Sequence, residues 1–151
     1  MNNQKEIVSV LHHLIDRCKD GSKGFFTAAE DVDDPQLKTM FKKFSVQRDG
    51  MITQLQDELH KIGKSDSESG SIEGKVHRAW IDLSSALASK DRKRILEECE
   101  RGEDYAVAAY QKALKADLPP NIHQIVEQQY QQVKQTHDQV RDLRDQAKAN
   151  S

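Results

Sequence analysis

Aromatic residues make up only 5% of this chain, and its 151 residues include just 7 glycines, 3 prolines and 2 cysteines. So few breakers and aromatics, beside many Glu, Gln, Lys, Arg, Ala and Leu, disfavour sheet and favour helix. No stretch approaches the ~18 apolar residues that a membrane-spanning helix requires. The opening MNNQKEIVSVLHHLIDR is interrupted too often by charge to be a secretory signal. A net charge of -2 gives no broad attraction to nucleic acid or to an anionic membrane. Basic residues are densest at Lys90 to Arg94, and acids follow at once. Cys18 and Cys99 form no CxxC pair and fall on apolar stripes, which suits reduced thiols in cytosol. Neither has a base in a readable motif, and no glycine-rich phosphate loop is present. The chain reads as one cytoplasmic domain, residues 1–151, with enough length for its own core.

What the sequence does have is periodicity, in helical segments at about 4–32, 35–62, 74–88, 91–116 and 120–147. In the first, Val8, Leu11, Ile15, Cys18, Ser22, Phe25, Ala29 and Val32 recur three and four residues apart. Asn3 with Glu6 resembles a capping box. Asp34-Pro35 ends the first helix and starts the second, with Asp as cap and Pro at the first helical position. The second stripe runs Leu37, Phe41, Phe44, Arg48, Met51, Leu55, Leu59 and Ile62 until Gly63. The polar run GKSDSESGSIEG then leads into a short segment with Val76, Trp80, Leu83 and Leu87. Asp91 caps the next helix, which carries Ile95, Cys99, Gly102, Ala106, Ala109 and Ala113. Beyond Pro119-Pro120 the last helix carries Ile122, Val126, Gln129, Val133, Thr136, Val140 and Leu143.

This pattern is all-α, with four main helices and a connection from residue 63 to residue 90 between the second and third of them. The connection either forms a hairpin, giving an up-down-up-down bundle, or crosses the bundle so that the helices it joins run parallel. A turn needs only about two to eight residues. A connection this long and partly amphipathic favours the crossover, with the short segment as an extra helix.

A di-metal bundle needs carboxylates from all four helices and Glu-x-x-His on two of them. Here Glu30 and His12 lie a quarter turn off the first seam, and the centre of the second seam is Arg48. Asp57 with His60 is an acid–histidine pair at a helix end, and His137 follows Lys134, which cannot replace a carboxylate ligand. In EECERGEDYAVAAY, helix phase turns Glu97, Glu100 and Asp104 to solvent and leaves Glu103 half-buried beside Gly102. Arg48 and Glu103 both sit at mid-height, so they form a candidate core polar pair, which would also account for Gly102. The competing reading has Arg48 snorkelling to the bundle edge. Two metal alternatives stay open: Glu30, Glu103 and His137 for iron or manganese, and His12, Asp57 and His60 for one transition metal. Under a crossover His123 and Glu127 join that second set.

DGSKGFFTAAED, HRAW, ERGEDYAVAAYQKAL, LPPNIHQIVEQQY and His137-Asp138 together resemble an uncharacterised bacterial family of four-helix-bundle proteins. That family is a domain of unknown function in the ferritin-like superfamily. The resemblance implies a ferritin-like bundle with a crossover, and no activity. The expected function is that of a non-enzymatic helical-bundle protein without a cofactor, stress-related or acting through a protein partner or self-association. Leu14, Phe26 and Ile7 widen the apolar stripe for such contacts. The alternative is a metal-binding ferritin-like protein or di-iron oxidase with a non-standard ligand set.

Overall fold

The computed structural model describes residues 4–65 and 74–150, and these form five α-helices with no strand among them. They are α1 (Gln4–Asp31), α2 (Pro35–Lys61), α3 (Gly74–Ser89), α4 (Arg92–Leu114) and α5 (Pro120–Ala149). Asn3, the expected cap of α1, lies outside the described residues.

The helix starts follow from local chemistry. Asp34 Oδ1 accepts the Gln36 and Leu37 N–H groups at 2.9 and 3.2 Å, two donors that the first turn leaves open. Burial works against the charge of this carboxyl. The Leu37 N–H, the Arg92 guanidinium and the Gln36 N–H outweigh it and hold the group below the usual carboxylate range. Asp91 caps α4 in the same way, through the Lys93 N–H at 3.1 Å. Between α3 and α4, Lys90 adopts φ 59°, a left-handed backbone that lets the chain reverse within two residues. The expected fourth helix reached residue 116. It ends instead at Leu114, because the Lys115 and Ala116 N–H groups bond three residues back, tightening the last turn.

Contacts between helices set their directions. Arg92, at the start of α4, pairs with Asp34 and donates to Gln36 at 2.6 Å, at the start of α2. Asn121, at the start of α5, donates to Glu58 near the end of α2 at 3.2 Å. Hence α2 and α4 run in one direction, and α1 and α5 run in the other. The chain returns between α2 and α4 by way of α3, which packs on α1 and α4.

The four long helices bury two apolar clusters, one above the other. One holds Leu11, Leu14 and Ile15 of α1 with Leu55, Leu59, Val126 and Val133. The other holds Phe25, Phe41 and Phe44 with Leu83 and Leu87 of α3, Leu96, Cys99 and Val140. Of the residues that widened the first stripe, Leu14 and Ile7 are consumed by the core, and Phe26 stays 59% exposed.

Trp80 holds α3 in place. Its ring meets Phe25 edge-on at 5.4 Å and lies over two glycines, Gly24 of α1 and Gly102 of α4. The neighbour of Gly102 is therefore this indole, not Arg48 as the helix phase of α4 suggested. A Cβ added at Gly24 would lie 2.6 Å from Cδ2 of Trp80, whereas one added at Gly102 would make ordinary contact at 3.7 Å. Alanine adds ~1 kcal/mol of helix propensity at either site, but at Gly24 the rigid ring must move. We therefore expect Gly102→Ala to raise the urea midpoint and Gly24→Ala to lower it, the two separated by about 1–3 kcal/mol. Emission from Trp80, the sole tryptophan, should shift to the red in Gly24→Ala. Equal midpoints for both variants would contradict this packing.

Candidate functional site

Between the two apolar clusters lies a polar layer with one residue from each long helix: Gly21, Arg48, Glu103 and Thr136. Arg48 and Glu103 are each 1% exposed. Arg48 Nη2 donates to Glu103 Oε2 at 2.6 Å and to Thr136 Oγ1 at 3.2 Å. The Thr136 hydroxyl in turn lies 2.6 Å from Glu103 Oε2 and 2.8 Å from the Val133 carbonyl, either of which accepts its proton. The guanidinium carbon stands 5.6 Å from the centre of the Phe25 ring, whose face attracts a cation. Gly21 makes the room: a Cβ there would sit 3.0 Å from Arg48 Nη1. The seam of α1 thus passes through Gly21 in this layer. Ser22, the expected seam residue, turns to α2 and bonds Asp49.

Burial opposes the charge on Arg48, but the Glu103 carboxylate and the hydrogen bond to it outweigh that and push its pKa upward. The guanidinium is a permanent cation. The cavity beside it holds about 10 Å³, roughly the room for one water and too little for a substrate.

A second polar chain lies one layer toward the start of α1. Tyr110 Oη donates to Gln129 Oε1 at 2.6 Å, and Gln129 Nε2 donates to Gln54 Oε1 at 2.8 Å and the Met51 carbonyl at 3.3 Å. With the phenol proton committed, the Cys18 thiol is the donor in its 3.2 Å contact with Tyr110. Burial pushes the pKa of Cys18 up and those of Cys99 and Tyr110 well up. All three groups stay protonated, and a buried neutral thiol is a poor nucleophile.

The other candidate residues are placed apart. Glu30 is exposed, and Glu103 is committed to Arg48 and Thr136. His137 is half-buried between α4 and α5, its Nε2 2.7 Å from Asp104 Oδ1 and its Nδ1 3.1 Å from Asp138 Oδ1. His12 Nε2 meets the Ser65 carbonyl at 2.9 Å, while Asp57, His60 and His123 are exposed. Among the described residues no three His, Cys, Asp or Glu side chains are grouped to hold a metal ion.

Glu100, expected in solvent, is half-buried, paired with Arg144 and 3.8 Å from His137. Burial disfavours the imidazolium of His137. The hydrogen bonds that its ring N–H groups donate to Asp138 and Asp104, with the charges of Asp104 and Glu100, outweigh it and raise the pKa above the ordinary histidine value. The α4–α5 seam therefore carries a cluster that phase on one helix alone did not reveal.

A family model described as "Domain of unknown function (DUF2383)" matches residues 6–116. The chain belongs to this family. The matched span runs from α1 through α4, so it includes Gly21, Arg48 and Glu103, while Thr136 lies beyond it. No curated protein matches the chain.

Two outcomes test the site. Arg48→Met leaves Glu103 buried without its cation and should cost about 3–5 kcal/mol by urea denaturation. Adding Glu103→Leu should recover most of that loss, and a single variant as stable as wild type would place Arg48 outside the core. For His137, whose folded pKa is raised, the stabilising charge is fully present below about pH 6.5 and lost as pH rises through the folded value. Stability of the native chain should fall between about pH 6 and 8 more steeply than that of His137→Gln; superimposable curves would remove His137 from the stability balance.

Proposed function

We propose that this is a non-enzymatic, cytoplasmic bacterial protein with a ferritin-like four-helix bundle and a crossover helix, in which a fixed cation stands where a metal centre would. The supporting observation is the central layer itself. Di-metal bundles project carboxylates and histidines inward from four helices at mid-height. Here the four inward positions are Gly21, Arg48, Glu103 and Thr136, and the one carboxylate among them is bonded to the guanidinium. A divalent ion in that place would have to displace a buried, permanently charged side chain, and like charges a few ångströms apart in a low dielectric repel strongly.

The two buried polar chains leave no group both reactive and open to a substrate, so the protein works through its surface, on a partner protein. A stress-related setting is carried by analogy with the superfamily alone. Protein expressed in medium supplemented with iron and manganese and purified without chelator tests this by elemental analysis. The expected result is far less than one metal per chain, both in the native protein and after incubation with ferrous or manganous salt. Stoichiometric iron or manganese would overturn the proposal in favour of a metal-binding protein.

A further inference from the structure

The groove between α1 and α4 is filled along one half of its length only. Toward the end of α1, α3 lies in it, with Trp80 seated over Gly24 and Gly102 and Asp82 paired to Arg101 at 3.4 Å. Toward the start of α1 the same groove continues past Ser9 and Val10 to Lys5, opposite Ala109 to Ala116 of α4, and encloses about 620 Å³. Its floor is apolar: Val10, Ala109, Ala113 and Ala116 belong to the core cluster that holds Leu11, Leu14 and Ile15. Its walls carry Lys5 on α1 and Lys112 and Lys115 on α4, with Glu6 the single acid. The groove thus carries a local excess of cations on a chain whose net charge is -2.

We infer that this groove is a docking site for an amphipathic helix with an acidic flank toward α4, supplied by a partner protein. The shape argument is α3, which shows that the cleft between these two helices accepts a helix laid along it. From residue 5 to residue 13 the open stretch runs for roughly 13 Å, enough for two to three helical turns. Small side chains on the α4 wall let a visiting backbone approach, and Val10 gives it apolar area to cover. The charge argument selects the visitor: Lys112 and Lys115 on the α4 wall favour carboxylates on the flank of the entering helix that faces them and disfavour lysines there. The inference deepens the reading of a protein that acts through a partner and rests on it.

The test uses the full chain and two fluorescein-labelled, hydrocarbon-stapled peptides of about 12 residues, long enough for about three turns. Both carry a leucine–alanine face; one has glutamates on its flanks and the other lysines. Fluorescence anisotropy should show saturable binding of the glutamate peptide, at least ~10-fold tighter than the lysine peptide. Lys112→Glu with Lys115→Glu, both on exposed positions, should reverse that order, and Lys5→Glu on the opposite wall should shift it the same way. No saturable binding of the glutamate peptide, equal binding of the two, or indifference to these charge reversals would overturn the inference. So would self-association of the native chain that is lost in the reversed variant, which would assign the groove to a second copy. Metal content of the same preparation reports separately on the absence of a metal centre.

Discussion

A guanidinium at mid-length between four packed helices loses its hydration, and several kcal/mol must be returned by partners with good geometry. At Arg48 these partners are the Glu103 carboxylate, the Thr136 hydroxyl and the face of Phe25, each from a different helix or turn. Their combined demand constrains the rest of the core. A side chain at Gly21 would require the guanidinium to shift, because the cation occupies that side of the layer. The apolar residues must divide into one cluster above and one below. Register follows too. Sliding α2 by one turn, ~5.4 Å, would set Arg48 among aromatic or aliphatic side chains and leave Glu103 facing Phe44 or Met51. Either outcome leaves an unpaired buried charge, so the pair selects one alignment of α2 against α4 among several that the apolar stripes alone would tolerate.

The parallel run of α2 and α4 requires a long return connection, and α3 makes that connection part of the core. One large ring and four buried aliphatic residues, Ala79, Leu83, Ala86 and Leu87, anchor it. Trp80 replaces close helix–helix contact between α1 and α4 at the level of Gly24 and Gly102, and Leu83 and Leu87 extend its contacts into the upper cluster. A short amphipathic helix is marginal by itself. Docked by an aromatic wedge, it covers its share of the groove and closes the polar layer from the side.

Much of this was legible because it depends on one helix at a time. The stripe from Leu37 to Leu59, the Asp34-Pro35 boundary and the stop at Gly63 each follow from residues a few positions apart. Arg48 stands out because Phe44 and Met51 on either side are unmistakably core. What was hidden depends on a second helix. Gly21 carries no side chain and adds nothing to a periodicity, so the sequence pattern points to Ser22 instead. Gly102 was linked to Arg48 because the position of Trp80 across the groove is not written in the phase of α4. Glu100 points away from the core of α4, yet Arg144 and His137 of α5 reach around to cover it.

The choice of cation has a functional consequence. A metal at the centre of a helical bundle must be acquired, can be lost, and needs an entry path and open coordination positions to react. Arg48 is synthesised in place, holds its charge at every physiological pH and exchanges no ligands. A core organised in this way has no need of a channel, and the cavity of about 10 Å³ beside the guanidinium provides none. What the pair does fix is packing, because Arg48 of α2 reaches Glu103 of α4 and Thr136 of α5 at one height. With Gly21 of α1 making room for the guanidinium, all four long helices meet at one buried cation.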